Sequence, residues 1–174
     1  NGSEKTVIGQ ERAAENQIYC FNMKKSTKWS WVAEMRSVPD FKQISPKLIS
    51  ILMSSKENEH GRQLYIQLPK LTQPIPLFTL FKALGVTSDK KICEYILLDV
   101  ANESESRYLS LLKASIVDSN DIITKEEAFA YIVNHTQYTF YKSANSSTND
   151  TASSKKEQYT REIITTDLFP HCKT

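Results

Sequence analysis

Arg62-Gln-Leu-Tyr-Ile-Gln-Leu68, then Pro69-Lys-Leu-Thr-Gln-Pro-Ile-Pro76, then Leu77-Phe-Thr-Leu-Phe-Lys-Ala-Leu-Gly-Val86: the period of the apolar residues changes inside this stretch, and the change decides the fold class. Leu64, Ile66 and Leu68 alternate with Gln63, Tyr65 and Gln67, the period of two expected of a strand with one buried face. From Leu77 onward, Leu77, Leu80, Phe81 and Leu84 recur at helical spacing. Pro74 and Pro76 stiffen the junction, and Pro76 suits the first turn of a helix, where a missing N–H costs nothing. Gly85 stands where a left-handed C-terminal cap belongs.

Everything upstream of the junction reads as strand. Residues 17–23, Gln-Ile-Tyr-Cys-Phe-Asn-Met, are β-branched and aromatic and predict a strand buried on both faces. Lys24, Lys25 and Lys28 form a basic turn before Trp29-Ser-Trp31. Residues 30–37 alternate, with Trp31, Ala33 and Met35 on one face, and predict a half-buried strand. Pro39 and Pro46 bracket a loop, and residues 47–53 are apolar on both faces. The polar connection from Ser54 to Gly61 predicts a β-hairpin with residues 62–68. Short connections make these strands antiparallel.

Downstream, the chain reads as helix. Ser88 or Asp89 can cap a helix with Ile92, Tyr95 and Ile96 as its stripe, and Tyr108, Leu111, Leu112 and Ile116 mark another. Thr124-Lys-Glu-Glu127 is a capping box opening a helix that buries Phe129, Ile132 and Val133. Residues 143–156 hold almost no apolar side chain and predict a disordered loop. A last amphipathic helix carries Tyr159, Ile163, Ile164 and Leu168 and stops before Pro170. Strands first and helices after define an α+β fold: antiparallel strands over residues 17–68, a helical half over residues 76–135, and a C-terminal helix.

The 174 residues suffice for about one domain with a real core, and a net charge of +2 leaves nucleic-acid attraction to local patches. Cys20, Cys93 and Cys172 are distant and odd in number, which argues against a disulfide framework and for a reducing, intracellular setting. No apolar run approaches the roughly 18 residues of a membrane span. Asn-x-Ser/Thr triplets at Asn145 and Asn149 lie in a segment rich in those residues and are read as chance. His60, His135 and His171 are scattered, so no metal site is expected. Gly2, Gly9, Gly61 and Gly85 are isolated, which excludes a glycine-rich phosphate loop. Ser153-Ser-Lys-Lys156 matches a serine-acylase pattern only formally, inside the predicted loop. Glu126-Glu127 and the pair Glu103 and Glu105 are read as helix N-terminal charges that complement the dipole. Lys24, Lys25, Lys28, Trp29 and Trp31 interleave basic and aromatic residues, as single-strand binders do. The competing reading is a solvated turn before a strand whose tryptophans enter the core. No active site is visible.

The first sixteen residues are unusually dense: the turn signal Asn1-Gly2, the pair Glu4 and Lys5, the apolar Val7 and Ile8, then Gln10-Glu-Arg12. The segment reads as cut from the middle of something larger. Asn1-Gly-Ser-Glu-Lys5, two apolar residues, then Gln10-Glu-Arg12 resembles a signature of the second-largest subunit of multisubunit DNA-directed RNA polymerases of eukaryotic and archaeal type. Val32-Ala-Glu-Met-Arg-Ser37 resembles a strand of that subunit's lobe domain. Gln73-Pro-Ile-Pro76 with Phe81-Lys-Ala-Leu-Gly-Val86 resembles its proline-led helix, Ile92 through Asp99 the next helix, and Leu168-Phe-Pro-His171 the lobe's far end. Two departures, Glu15-Asn-Gln17 and the unalignable stretch from Thr139 to Glu157, imply a distant lineage, with a large DNA virus as one candidate.

The resemblance implies that residues 1–12 end the protrusion domain and residues 13–174 form the lobe, a wall of the DNA cleft. It implies an enzyme, a nucleotidyltransferase, only as the complete polymerase. The fragment alone would be non-catalytic, with no cofactor of its own and the enzyme's Mg bound elsewhere. Implied partners are other polymerase subunits, the DNA template and RNA–DNA hybrid, and transcription initiation factors, with no membrane. The implied location is the nucleus in a eukaryote, or the host nucleus, a cytoplasmic factory or the virion for a virus. By resemblance Lys5, Gln10 and Arg12 are nucleic-acid-proximal, with Lys24, Lys25 and Lys28 as weaker candidates. Arg36 is expected to pair with Glu34 or another carboxylate. The other class of function is a stand-alone protein-interaction module sharing only the lobe fold.

Overall fold

The computed structural model describes residues 2–24, 28–41, 44–98, 103–139 and 149–172, with backbone alone for 103–106 and 149–152. Five strands, β1 (Ile18–Asn22), β2 (Trp29–Ser37), β3 (Lys47–Ser54), β4 (Leu64–Gln67) and β5 (Ile75–Pro76), form one sheet in sequential order, each antiparallel to the last. The helices follow: α1 (Leu77–Ala83), α2 (Asp89–Leu97), α3 (Glu103–Asp118), α4 (Lys125–His135) and α5 (Asn149–Glu162). This is the α+β order expected from the change of period at residues 69–76.

The β3–β4 hairpin forms as the alternation of Leu64, Ile66 and Leu68 predicts, with Met53 opposite Leu64 and Ile51 opposite Ile66. Pro76 stands one position earlier than expected. It is the residue before α1, with φ −55° and ψ 135°, and its extended backbone still pairs with Tyr65. A proline is tolerated there because β5 is the sheet edge. Gly85 takes φ +102° directly after the α1 C-cap, the left-handed conformation its position demanded.

Three expectations are corrected. Residues 18–22 are not buried on both faces; β1 is an edge strand, paired with β2 alone, and Ile18 and Phe21 are exposed. The loop expected through residue 156 ends sooner, because α5 starts at Asn149; residues 143–148 lie outside the described residues. Eight residues there extend the amphipathic segment toward its N-terminus, and Lys156 Nζ bonds the Asn134 carbonyl of α4 at 3.4 Å. Tyr95, Tyr108 and Leu111 are exposed; the buried positions are Ile92, Cys93 and Leu97 in α2 and Leu112, Ala114 and Ser115 in α3.

Helix α1 divides the core. Leu77 and Leu80 join Ile49, Ile66 and Ile75 of the sheet, Leu68 just past β4, and Ala128 and Ile132 of α4. Phe78 instead packs with Ile92, Cys93, Leu97 and Leu112. Each such fully buried side chain contributes about 1.5–3 kcal/mol of transfer free energy. The capping box of α4 is complete: Glu127 N–H donates to Thr124 Oγ1 at 3.2 Å, and Thr124 N–H to Glu127 Oε2 at 3.0 Å. The backbone N–H groups of Thr124 and Ile123, which both donate to Glu127 Oε2, hold the Glu127 carboxyl below its ordinary value.

Two buried charges lock the periphery. Lys82, 3% exposed, donates to the carbonyls of Ser119 and Ile122, both at 2.9 Å, and lies 3.2 Å from Asp89. It thereby clamps the α3–α4 turn against α1 and α2. Asp167 lies 3.2 Å from Lys47 and 3.1 Å from Lys70. Burial alone would raise its carboxyl, but the hydrogen bonds and charges of Lys70 and Lys47 outweigh burial and hold it low.

Lys82→Met is expected to cost about 2–4 kcal/mol, since the buried Ser119 carbonyl, the partly buried Ile122 carbonyl and Asp89 lose their partner; denaturant unfolding measures it. Asp167→Asn is expected to cost about 1–3 kcal/mol near neutral pH. Because the folded carboxyl titrates below the unfolded one, its stabilisation is present above the unfolded value and is lost as pH falls through the folded value. The difference in melting temperature between the two proteins should therefore shrink on acidification, and a constant difference would refute the charge-based account.

Candidate nucleic-acid interface

Residues 2–14 adopt neither helix nor strand, and every one of them is exposed. Val7 and Ile8 are 95% and 84% exposed, so the apolar pair contributes nothing to the core. The segment is fastened at Asn16, whose backbone N–H donates to the Arg36 carbonyl at 2.8 Å. The Asn16 side chain also brackets Val38, donating to its carbonyl at 2.9 Å and accepting from its N–H at 2.8 Å. Asn16 takes φ +58°, which asparagine tolerates better than most residues. Lys5, Gln10 and Arg12 therefore extend into solvent, and no hydrogen bond, ion pair or ring contact joins them to another described residue.

The basic turn between β1 and β2 is a separate feature. Lys24 is exposed, Lys25 lies outside the described residues, and Lys28 Nζ stands 5.1 Å from the Trp29 ring centroid. Trp29 meets Tyr65 of β4 edge-on at 5.4 Å. Trp31 goes elsewhere, lining a cavity of about 280 Å³ with Ala33, Ile51, Met53 and Leu64. The two tryptophans part because the β2–β3 register slips between them: Trp29 faces Ser54 and Trp31 faces Met53, leaving Ser30 as an extra residue. Ser30 Oγ bonds the Ser54 carbonyl at 3.1 Å. Lys24 and Lys28 are solvated as the competing reading expects, but half-buried Trp29 and exposed Trp31 do not enter the core.

Arg36 is exposed and has no carboxylate partner among the described residues, so the expected pair with Glu34 does not form. Sequence reasoning passed over Tyr65, although its place among Gln63 and Gln67 on the polar side of β4 was a usable signal. Burial, and then the charge of Asp118, push the Tyr65 phenol up to about 12. It remains a neutral donor, 3.2 Å from Gln63 Oε1, while Gln63 Nε2 donates to Asp118 at 2.8 Å.

At the other end of β2, Ser37 is fully buried, and its hydroxyl lies 2.7 Å from His171 Nδ1 while accepting from the His171 N–H at 3.2 Å. Two stretches that carried the resemblance, Val32–Ser37 and Leu168–His171, are joined by this contact.

Fold and surface together define a small α+β domain, a five-stranded meander closed by helices and followed back to its start by a C-terminal turn, with cationic features on exposed segments. Residues 6–174 match the model of the family described as RNA polymerase Rpb2, domain 2, and the chain belongs to that family. It is 30% identical over 175 residues, 98% of its length, to DNA-directed RNA polymerase II subunit 2 of Arabidopsis thaliana. It is 31% identical over its whole length to the RPB2 subunit of RNA polymerase II from Schizosaccharomyces pombe. It is 25% identical over 98% of its length to DNA-directed RNA polymerase subunit 2 of Acanthamoeba polyphaga mimivirus. The chain spans 13–14% of the length of these curated relatives.

Because Lys5 and Arg12 touch nothing described, the Lys5→Ala/Arg12→Ala variant is expected to unfold within about 0.5 kcal/mol of the parent. A larger loss would give these residues a structural role.

Proposed function

We propose that this chain is the lobe of the second-largest subunit of a DNA-directed RNA polymerase, forming one wall of the cleft that holds DNA. The family match over residues 6–174 carries this reading, and the exposed cationic segment, without partners among the described residues, supports it. On this reading residues 1–12 close the preceding protrusion domain and residues 13–174 are the lobe. Lys5 and Arg12 neutralise backbone phosphate near the RNA–DNA hybrid, and Gln10 adds a neutral hydrogen-bonding group. Such contacts hold nucleic acid without reading its sequence, as a polymerase that copies any template requires. Lys24, Lys25 and Lys28 add a second cationic patch.

The chain itself catalyses nothing on this reading. Nucleotide transfer belongs to the complete enzyme, whose Mg is bound elsewhere. Other polymerase subunits and initiation factors are its protein partners. The working compartment is the nucleus in a eukaryote, or the host nucleus, a cytoplasmic factory or the virion for a virus.

The test is binding of labelled duplex DNA by the 174-residue chain across a salt series. Weak binding that falls steeply with salt is expected, without selectivity for sequence, and Lys5→Ala/Arg12→Ala should reduce the salt slope by about two phosphate contacts. Tight, sequence-selective, salt-insensitive binding would refute the proposal, as would nucleotide addition by the chain alone.

A further inference from the structure

Beside the β3–β4 hairpin lies an open cavity of about 600 Å³. Three aromatic residues, Trp29, Tyr65 and Tyr131, contribute to its lining, together with Lys28, Lys56 and the amide of Gln73. The size is that of a small-ligand pocket rather than of an extended docking groove. Its rings come from three distant parts of the chain, β2, β4 and α4, so the tertiary fold and not a local cluster creates it.

The charge balance of the cavity is one-sided. Neither Lys28 nor Lys56 has a carboxylate partner among the described residues. Glu57, next to Lys56 in the chain, pairs with Arg62 at 3.6 Å. Asp118 is not among the lining residues and accepts from Gln63. Glu59 lies in the hairpin connection and is not among the lining residues.

Aromatic walls favour a flat, apolar face, an amide satisfies donors and acceptors in the plane of that face, and free ammonium groups favour phosphate. One ligand class meets all three demands at once, an unpaired nucleotide within a single strand. A duplex hides its base faces in the stack. An acidic peptide satisfies the lysines but brings no planar group to the rings.

We propose that this cavity holds an unpaired base of a single-stranded nucleic acid among Trp29, Tyr65 and Tyr131, with the flanking phosphates at Lys28 and Lys56. The proposal rests on the reading of this chain as a domain that works beside DNA. Its site shares Lys28 with the second cationic patch but includes none of Lys5, Gln10 and Arg12, so variants at Lys5 and Arg12 separate the two readings.

The chain has two tryptophans, and Trp31→Phe leaves Trp29 as the only one, a reporter inside the site. Titrating that variant at low salt with an oligothymidylate of about ten nucleotides should quench Trp29 fluorescence saturably. Adding Lys28→Ala/Lys56→Ala should weaken the apparent affinity at least about fivefold, and Tyr65→Leu by a similar factor. The lysines are exposed, so their variant remains informative even if Tyr65→Leu unfolds, which circular dichroism reports. Adding Lys5→Ala/Arg12→Ala should weaken the quenching affinity less than the Lys28→Ala/Lys56→Ala pair does. Absence of quenching overturns the proposal, as does equal quenching by a blunt duplex or by oligoglutamate of the same length. If quenching is lost on changing Lys5 and Arg12 but survives loss of Lys28 and Lys56, this site is refuted while the cleft-wall reading stands.

Discussion

The carboxylate of Asp167, held between the ammonium groups of Lys47 and Lys70, is the contact that closes this fold on itself. Lys47 opens β3, and across the β2–β3 pairing it lies opposite Ser37, the residue that binds His171. The C-terminal segment therefore docks on one end of the sheet at a single register on two adjacent strands, through an ion pair on β3 and a hydrogen bond on β2. Bringing residues 167 and 171 back to the sheet closes a loop of more than a hundred residues, but the entropic cost grows only logarithmically with length. Two cations around one nearly buried anion leave an excess positive charge, and that is tolerable because Lys47 and Lys70 keep 24% and 41% of their side chains in water. A fully buried triad would lose more in desolvation than it gained in attraction.

What the sequence revealed and what it hid follow from the range of the interactions involved. The β4 alternation, the Thr124–Glu127 capping box and the left-handed Gly85 are decided within one or two turns of chain, and each formed as its local chemistry requires. The edge position of β1 was not legible. Ile18, Tyr19 and Phe21 suit a central strand equally well, and the number of neighbours a strand has is a property of the whole sheet. The early start of α5 was missed for the converse reason: residues 149–156 have no apolar stripe to announce a helix, yet they extend one whose later turns pack. Lys82 and Asp167 read as ordinary surface charges, and their burial depends on partners 7 to 40 and 97 to 120 positions away.

The candidate interface was legible only through resemblance. Lys5, Gln10 and Arg12 are exposed polar residues on a segment without regular structure, and nothing physical in their own spacing distinguishes them from any solvated stretch. Among the described residues they have no intramolecular partner. That is a necessary condition for contact with another molecule, since a lysine already paired with a carboxylate must break that pair to reach a phosphate. Lys47, Lys70 and Lys82 are spent in this sense, whereas Lys5, Lys28 and Lys56 are not.

The position of Trp29 depends on one backbone irregularity. With a regular β2–β3 ladder, residues 29 and 31 would share a face, and both tryptophans would lie with Ala33, Ile51 and Met53. Insertion of Ser30 into the register releases Trp29 to meet Tyr65, while Trp31 stays with the aliphatic side chains. A bulge leaves polar backbone groups poorly matched, and Ser30 answers this on both sides. Its carbonyl accepts from the Met23 N–H at 2.8 Å, and its hydroxyl donates to the Ser54 carbonyl. A side chain without a donor at position 30 would have to leave that carbonyl to water. The hydroxyl thus links a local hydrogen-bonding requirement in the sheet to the placement of an aromatic ring at its surface.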